Sequence, residues 1–293
     1  MEKTAGHIVV GMDFSAPSVA AARWTAKYLA RGEDLVLAHA ICIPEPPRFL
    51  KSLYSPVEPL IDAARRGADV RIRELGASLG VQRVWPEIHV GRPDEVLVEV
   101  AARYKAELLV VGPHGDRAGI GTLLGGTAER VAREATASVL IARGMLEAVP
   151  RKVLVAVQES TLDESLLQWA TRFAHQWQAT VVAMHVVNPL LAGLTQAGAT
   201  SSERRVEEQL RRQSEEWLRS RLAAAGLPKV EAEVGFGYPG FEILSAADRV
   251  GADLIIVGRR APGRGRERDI GGTAAFIAQN GSQSVLLVAP PAS

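Results

Sequence analysis

The sequence predicts two tandem α/β domains, each doubly wound, and three observations predict them. The chain repeats itself once along nearly its whole length. Within each half, short apolar runs without polar alternation are separated by stretches of helical spacing, as expected for strands covered on both faces. In each half one apolar run stops at a glycine, Gly112 or Gly258, and a second glycine cluster then opens a helix. Alternating strands and helices imply a parallel sheet with right-handed crossovers.

The repeat sets the domain limits. IVVGMDFSAPSVAAARW (8–24) returns as VLVAVQESTLDESLLQW (153–169), which places Trp24 and Trp169 145 residues apart. LVLAHAI with His39 returns as TVVAMHVV with His185, now 146 apart. Gly91-Arg92-Pro93 returns as Gly237-Tyr238-Pro239, and Gly125-Gly126-Thr127-Ala128 as Gly271-Gly272-Thr273-Ala274. One single-residue shift is the only break in register. The reading is a first domain over residues 1–146 and a second over 151–293, meeting near Met145 to Pro150; 293 residues leave each room for a core.

Taken in order, the first-half strands are expected at about 7–12, 35–43, 84–90, 107–112 and 138–143, with helices between them. The first helix begins near Ser15, with Pro17 suited to its first turn. Asp13 is read as either a cap or a ligand contact; the spacing to Pro17 makes Ser15 or Ala16 the better-placed cap. Ala128, Val131, Ala132 and Ala135 recur at i, i+3, i+4 and i+7, a helical face. In the second half Ser160-x-x-Asp163 offers a variant capping signal, and Thr200-x-x-Glu203 a capping box for a long polar helix through Leu222. Trp24 and Trp169 read as core, and Cys42, inside an apolar run, as a small buried residue.

The chemistry is concentrated in the loop after Val111. Gly112, Gly115, Gly119, Gly121, Gly125 and Gly126 fall within fifteen residues, between a strand and a helix. The first turn of a helix carries amides without internal partners and the positive end of the dipole, and glycine lets an anion approach them closely. The pattern is no Walker loop, because no Gly-Lys-Ser/Thr is present, and Gly119-x-Gly121 is followed by Gly125 one residue too far for a dinucleotide fingerprint. In doubly wound sheets ligands sit beyond the carboxyl ends of the strands. The candidates there are Asp13, His39-Ala40-Ile41, Gly91 and the Gly112 loop.

Gly112, two residues, Gly115, nine residues and Gly125 resemble the phosphate motif of the universal stress protein superfamily, as do Asp13-Phe14-Ser15 after the first strand and His39-Ala40 at the end of the second. The resemblance runs through both halves, as in tandem members. It implies a five-stranded parallel sheet in the order 3-2-1-4-5 in each domain, packed as a pseudo-dimer. It also implies an adenine nucleotide, ATP or else ADP or AMP, with or without Mg2+. Asp13 and the Ala40 backbone would meet the adenine side. Gly112, Gly115, Gly125, Gly126 and Thr127 would hold the phosphates, with Pro113 and His114 along them. The motif calls for Ser or Thr where Gly126 stands, and Thr127 comes one position late; a neutral hydroxyl hydrogen bond there is worth roughly 0.5–1.5 kcal/mol.

The second half departs further. Gln158 replaces the acidic residue and Ala261 the second glycine, while Gly258, Gly271, Gly272 and Thr273 remain as a weaker candidate set. Arginines at 259, 260, 264, 266 and 268 read either as a phosphate grip or as a solvated loop. His39 and His185 read as structural, since no cluster with metal-ligand spacing accompanies them. Pro44, Pro46, Pro47, Pro56 and Pro59, and the small-residue segment Asn188 to Thr200, read as flaps over the ligand edge or as surface insertions.

Bulk properties bound the rest. The chain is 47% hydrophobic and 23% charged with net charge +1, so neither nucleic acid nor another polyanion is expected as a partner. A single cysteine excludes an intrachain disulfide framework. MEKTAGHIVVGMD has no signal-peptide apolar segment and no run spans a membrane, so a cytoplasmic protein is expected. By this topology the last strands, Ser138 to Ala142 and Ser284 to Val288, are edges expected to pair with each other; further homodimerisation is plausible. The function expected is nucleotide sensing or regulation in stress response. The alternatives are slow ATP hydrolysis or nucleotidyl transfer, or a nucleotide-independent scaffold or small-molecule binder. Neither paired carboxylates nor a Ser-His-Asp set is visible to carry turnover.

Overall fold

The computed structural model describes residues 7–30, 34–43, 58–115, 124–143, 148–160, 162–188, 201–260 and 270–290. The chain divides into two compact units, Met1–Ala142 and Arg143–Ser293. Outside the described residues lie the segment from Pro44 to Pro56, residues 189–200 with Thr200, Gly119 and Gly121, and Ala261 with Arg264, Arg266 and Arg268.

In the first unit β1 (Ile8–Met12) is flanked by β2 (Leu35–Ile41) and β4 (Leu108–Val111), with β3 (Val84–Val90) outside β2 and β5 (Ser138–Ile141) outside β4. All pairings are parallel, in the order β3-β2-β1-β4-β5. Every residue of β1, β4 and β5 is buried, which is why these runs show no alternation. β3 is only half-buried at the end of the order, where it tolerates Pro86. Crossovers are made by α1 (Ala16–Tyr28), α2 (Glu58–Ser78), α3 (Pro93–Arg103) and α4 (Gly126–Glu134). α1 packs on β1 and β4, α2 on β2 and β3, and α3 on β1 and β2 while also touching α4. The face Ala128, Val131, Ala132 and Ala135 is fully buried, as its spacing requires.

The second unit repeats this plan. β6 (Lys152–Ala156), β7 (Thr180–Val187), β8 (Glu231–Phe236), β9 (Leu254–Gly258) and β10 (Ser284–Val288) are parallel in the order β8-β7-β6-β9-β10. Their crossovers are α5 (Asp163–Trp177), α6 (Ser201–Ala224), α7 (Pro239–Val250) and α8 (Gly272–Asn280). The order expected for each domain is thus present in both. Trp24 and Trp169 are core residues, as read. Among the described residues no helix is long and apolar enough to cross a membrane.

Two local readings fail. Cys42 is exposed, because β2 stops at Ile41, whose carbonyl takes the Gly91 amide at 3.2 Å, and the chain then leaves the sheet. The capping signal at Ser160 is displaced: its hydroxyl accepts the Leu162 amide at 3.2 Å and donates to Asp163 at 3.1 Å, while Leu162 itself stands at the N-cap. The serine therefore shapes the turn before α5, not its first helical bond.

Candidate functional site

The carboxyl ends of β1, β2 and β4 open onto a cleft of about 630 Å³ in the first unit. Its floor is Gly11, Ala38 and Val111; Leu97 and Pro93 of α3 form one wall. Gly11 keeps this floor open, since a Cβ would come within 2.8 Å of Leu97 Cδ1 and push that side chain aside. The cleft brings together most of the expected residues: Asp13, Ala40, Gly112, His114, Gly115, Gly125, Gly126 and Thr127 all line it. Pro113 does not. Its carbonyl instead accepts the Gly125 amide at 2.7 Å, a clasp that joins the two ends of the loop.

Asp13 is positioned by its own turn. One oxygen, Oδ1, accepts both the Ser15 amide at 2.9 Å and the Ser15 hydroxyl at 2.5 Å. This Asx turn carries Phe14 through a left-handed conformation, φ 62°, which an aromatic residue adopts only when its surroundings hold it there. The Arg71 guanidinium lies 3.9 Å from the centre of the Phe14 ring, and the His39 ring is 4.7 Å away on centroids. Ser15 is the N-cap of α1, accepting the Ser18 amide at 3.3 Å, so Asp13 supports the cap without being it. Burial pushes the Asp13 carboxyl up, but hydrogen bonds from Ser15 and Ser18 outweigh it and hold the group below the usual aspartate range. The second oxygen, Oδ2, faces Gly115, where a Cβ would lie only 2.5 Å away. Gly115 is therefore a glycine because the carboxylate occupies its side-chain place.

Gly125 is the N-cap of α4, and among the described residues no side chain caps the first-turn amides. Those amides lie on the residues Gly126, Thr127 and Ala128, all lining the cleft. His114 turns Nδ1 to the Gly115 carbonyl at 3.2 Å, so that nitrogen is a donor in use. His39 donates from Nδ1 to the Met12 carbonyl at 2.7 Å, and His185 does the same to Val157 at 2.9 Å. Both histidines are structural at equivalent positions. Among the described residues no group of three or more His, Cys, Asp or Glu is placed to hold a metal ion.

The second unit keeps the frame but changes the contents. Gly258 ends β9, Gly271 caps α8 at φ 94°, and Gly272 and Thr273 open that helix, again without a side-chain cap. Leu162 Cδ1 stands 3.0 Å from the Cβ position of Gly258, closer than the 3.6 Å between Pro17 and the same position on Gly112. The arginine run is not uniformly solvated: Arg259 is 1% exposed, and burial pushes its guanidinium down to about 10. Its amide bonds the Val288 carbonyl at 3.0 Å, which turns the residue inward. The aliphatic stem of Arg260 lies over Gly271, its Cγ 3.7 Å from that Cβ position.

One residue beside the cleft escaped the sequence reading. Arg130 of α4 lays its guanidinium on Gly126, with Nη1 3.3 Å from the Cβ position there, while its Nε is 3.0 Å from the buried carboxylate of Asp94 on α3. The signal was available: across the repeat Arg92, Asp94, Glu95 and Arg130 become Tyr238, Gly240, Phe241 and Phe276, all at an offset of 146.

The family model of the universal stress proteins matches residues 4–143 and again residues 150–289. The chain belongs to the universal stress protein family. It carries two universal stress protein domains in tandem. A universal stress protein from Archaeoglobus fulgidus is similar over 99% of this chain and 100% of its own, at TM-score 0.71 and 17% identity. A protein of unknown function from Pseudomonas aeruginosa PAO1 is similar over 98% of this chain and 93% of its own, at TM-score 0.68 and 16% identity. A putative universal stress protein from Pseudomonas aeruginosa UCBPP-PA14 follows at TM-score 0.64 and 15% identity, over 98% and 94%. These likenesses concern the fold of the whole chain. No curated protein matches it in sequence.

Proposed function

We propose that the first domain binds an adenine nucleotide, ATP or else ADP or AMP, in the cleft beyond β1, β2 and β4, and that the protein works in the cytoplasm as a sensor or regulator in stress response. The observation that carries this reading is the coincidence, in one cleft, of a helix mouth that no described side chain caps with three glycines of the phosphate motif and the Asp13 carboxylate. A phosphate placed there meets first-turn amides and the positive end of the α4 dipole. The Ala40 backbone and Asp13, which also line the cleft, offer hydrogen-bonding groups to a base or ribose. Gly126, Thr127 and Gly125 flank the phosphates. Pro113 serves by clasping the loop. The second-domain set Gly258, Gly271, Gly272 and Thr273 is a weaker candidate for the same chemistry.

The test is equilibrium titration of the full chain with ATP, ADP and AMP, with and without Mg2+, read as a shift in unfolding. Ligand at a hundredfold excess over its Kd stabilises by about 2.7 kcal/mol. Failure of every nucleotide to shift unfolding at millimolar concentration refutes the proposal.

A further inference from the structure

We infer that Arg130 contacts the phosphates of the ligand in the first-domain cleft, taking the place of the hydroxyl that Gly126 lacks; this rests on the nucleotide reading above. Gly126 and Arg130 form one device. The guanidinium lies against the place a side chain at 126 would take, with Nη1 at 3.3 Å and Nη2 at 3.7 Å from the Cβ position, so a side chain there would push it back by a few tenths of an ångström or more. A serine at 126 would therefore crowd the arginine as it is now held.

The arginine is held from behind. Asp94 follows Pro93 in the first turn of α3, and its side chain is 2% exposed. Its Oδ2 stands 3.0 Å from Arg130 Nε and 2.8 Å from Arg92 Nη2. Its Oδ1 is buried without a hydrogen-bond partner among the described residues. A buried carboxylate needs a counter-charge, so the ion pair with Asp94 keeps the guanidinium beside α3, although Nε makes no hydrogen bond among the described residues. The terminal nitrogens are left against Gly126, and among the described residues no hydrogen bond takes them. A cation at the N-terminal end of a helix opposes the dipole. An anion on the α4 amides relieves that opposition, since it is attracted by the amides and by the guanidinium together.

The second domain supplies an internal comparison. At the four equivalent positions it carries Tyr238, Gly240, Phe241 and Phe276. Gly240 admits the Phe276 ring, whose Cδ1 lies 2.5 Å from its Cβ position, and the three rings pack on one another at 4.6–6.0 Å. Where Asp94 and Arg130 meet in one domain, a glycine and an aromatic ring meet in the other. The positions have changed together, as members of one contact. The equivalent positions beside the mouth of α8 thus carry no charged side chain.

Calorimetric titration with ATP and with adenosine, which has the base and ribose but no phosphate, tests the assignment on the full chain. The unaltered protein is compared with Arg130→Gln, Arg130→Lys and Gly126→Ser. Loss of a charge-assisted contact weakens ATP in Arg130→Gln by roughly tenfold or more and leaves adenosine unchanged. The lysine, a point charge without the fork, restores part of the loss. Gly126→Ser crowds the guanidinium and weakens ATP although it adds a hydroxyl. Equal ATP affinity in Arg130→Gln and the unaltered protein overturns the assignment alone, and so does tighter ATP binding by Gly126→Ser. Should Arg130→Gln fail to melt cooperatively, the serine and lysine variants decide. Absence of ATP binding by the unaltered protein overturns the nucleotide reading, and the assignment with it.

Discussion

Gly115→Ala puts a methyl group where the Asp13 carboxylate now sits, and its cost follows from three distances. The new Cβ would lie 2.5 Å from Oδ2. A relaxed carbon–oxygen contact is about 3.3 Å, so the carboxylate must retreat by about 0.8 Å. That retreat strains the bonds at 2.9 and 2.5 Å which Oδ1 accepts from Ser15. Hydrogen bonds to a charged acceptor contribute about 1.5–3 kcal/mol, and Asp13 is exposed, so about 1–2 kcal/mol is at stake. Replacing glycine by alanine at a compatible backbone returns about 0.4–1 kcal/mol through the unfolded chain, leaving a net loss near 1 kcal/mol. With Asp13→Ala already present the obstacle is gone, and the same change should be neutral or stabilising. The four proteins of this cycle are compared by hydrogen exchange of peptides from β1 and β4, which reads the first unit alone. Additive effects would show that the carboxylate and the glycine do not exclude one another, and the account of Gly115 would be wrong.

The Tyr104 hydroxyl donates to Glu87 at 2.7 Å, and burial together with that carboxylate pushes the phenol up to about 12. A group raised above its unfolded value near 10 stabilises fully below that pH and loses the contribution as pH rises through its folded value. Tyr104→Phe should therefore cost about 1 kcal/mol in urea unfolding at pH 8, and the difference should shrink between pH 10 and 12. On the acid side, burial pushes Glu87 up, but His89, Tyr104 and Arg103 outweigh it and hold the carboxyl below the usual range. Its contribution is present above the unfolded value near 4.3 and is lost as pH falls through the lower folded value, so Glu87→Gln should flatten the acid limb of the stability profile. Gly240→Ala drives a methyl into Phe276 and should destabilise by about 1–3 kcal/mol in thermal unfolding, with most of the loss recovered by Phe276→Ala in the same chain.

Much of the fold was legible because the chain states it twice. Runs such as Ile8-Val9-Val10 and Leu108 to Val111 are buried on both faces, and that burial removes alternation from the sequence itself. Gly115 and Gly125 announced the loop because each stands where carboxylate or backbone comes close, whereas Gly112 has only ordinary contacts at 3.6 Å; Ser15 announced its cap. The misreadings share a cause: composition does not say which way a residue faces. Cys42 continues an apolar run but lies past the last sheet bond of β2. Arg259 belongs to a charged run, yet its amide pairs with β10 and its side chain is carried inward. The Arg130–Asp94 contact joins residues far apart in sequence, and only the joint change at 240 and 276 encodes it.

The clasp between Gly125 and Pro113 has a practical corollary. Because the Gly125 amide meets the Pro113 carbonyl at 2.7 Å, the ends of the connection from β4 to α4 are pinned together whatever the length of chain between them. Doubling a closed loop adds only about 0.6 kcal/mol of closure entropy. A tag or reporter peptide grafted between Gly115 and Leu124 should leave the parent fold standing, which makes this connection a natural port for a sensor built on the same scaffold.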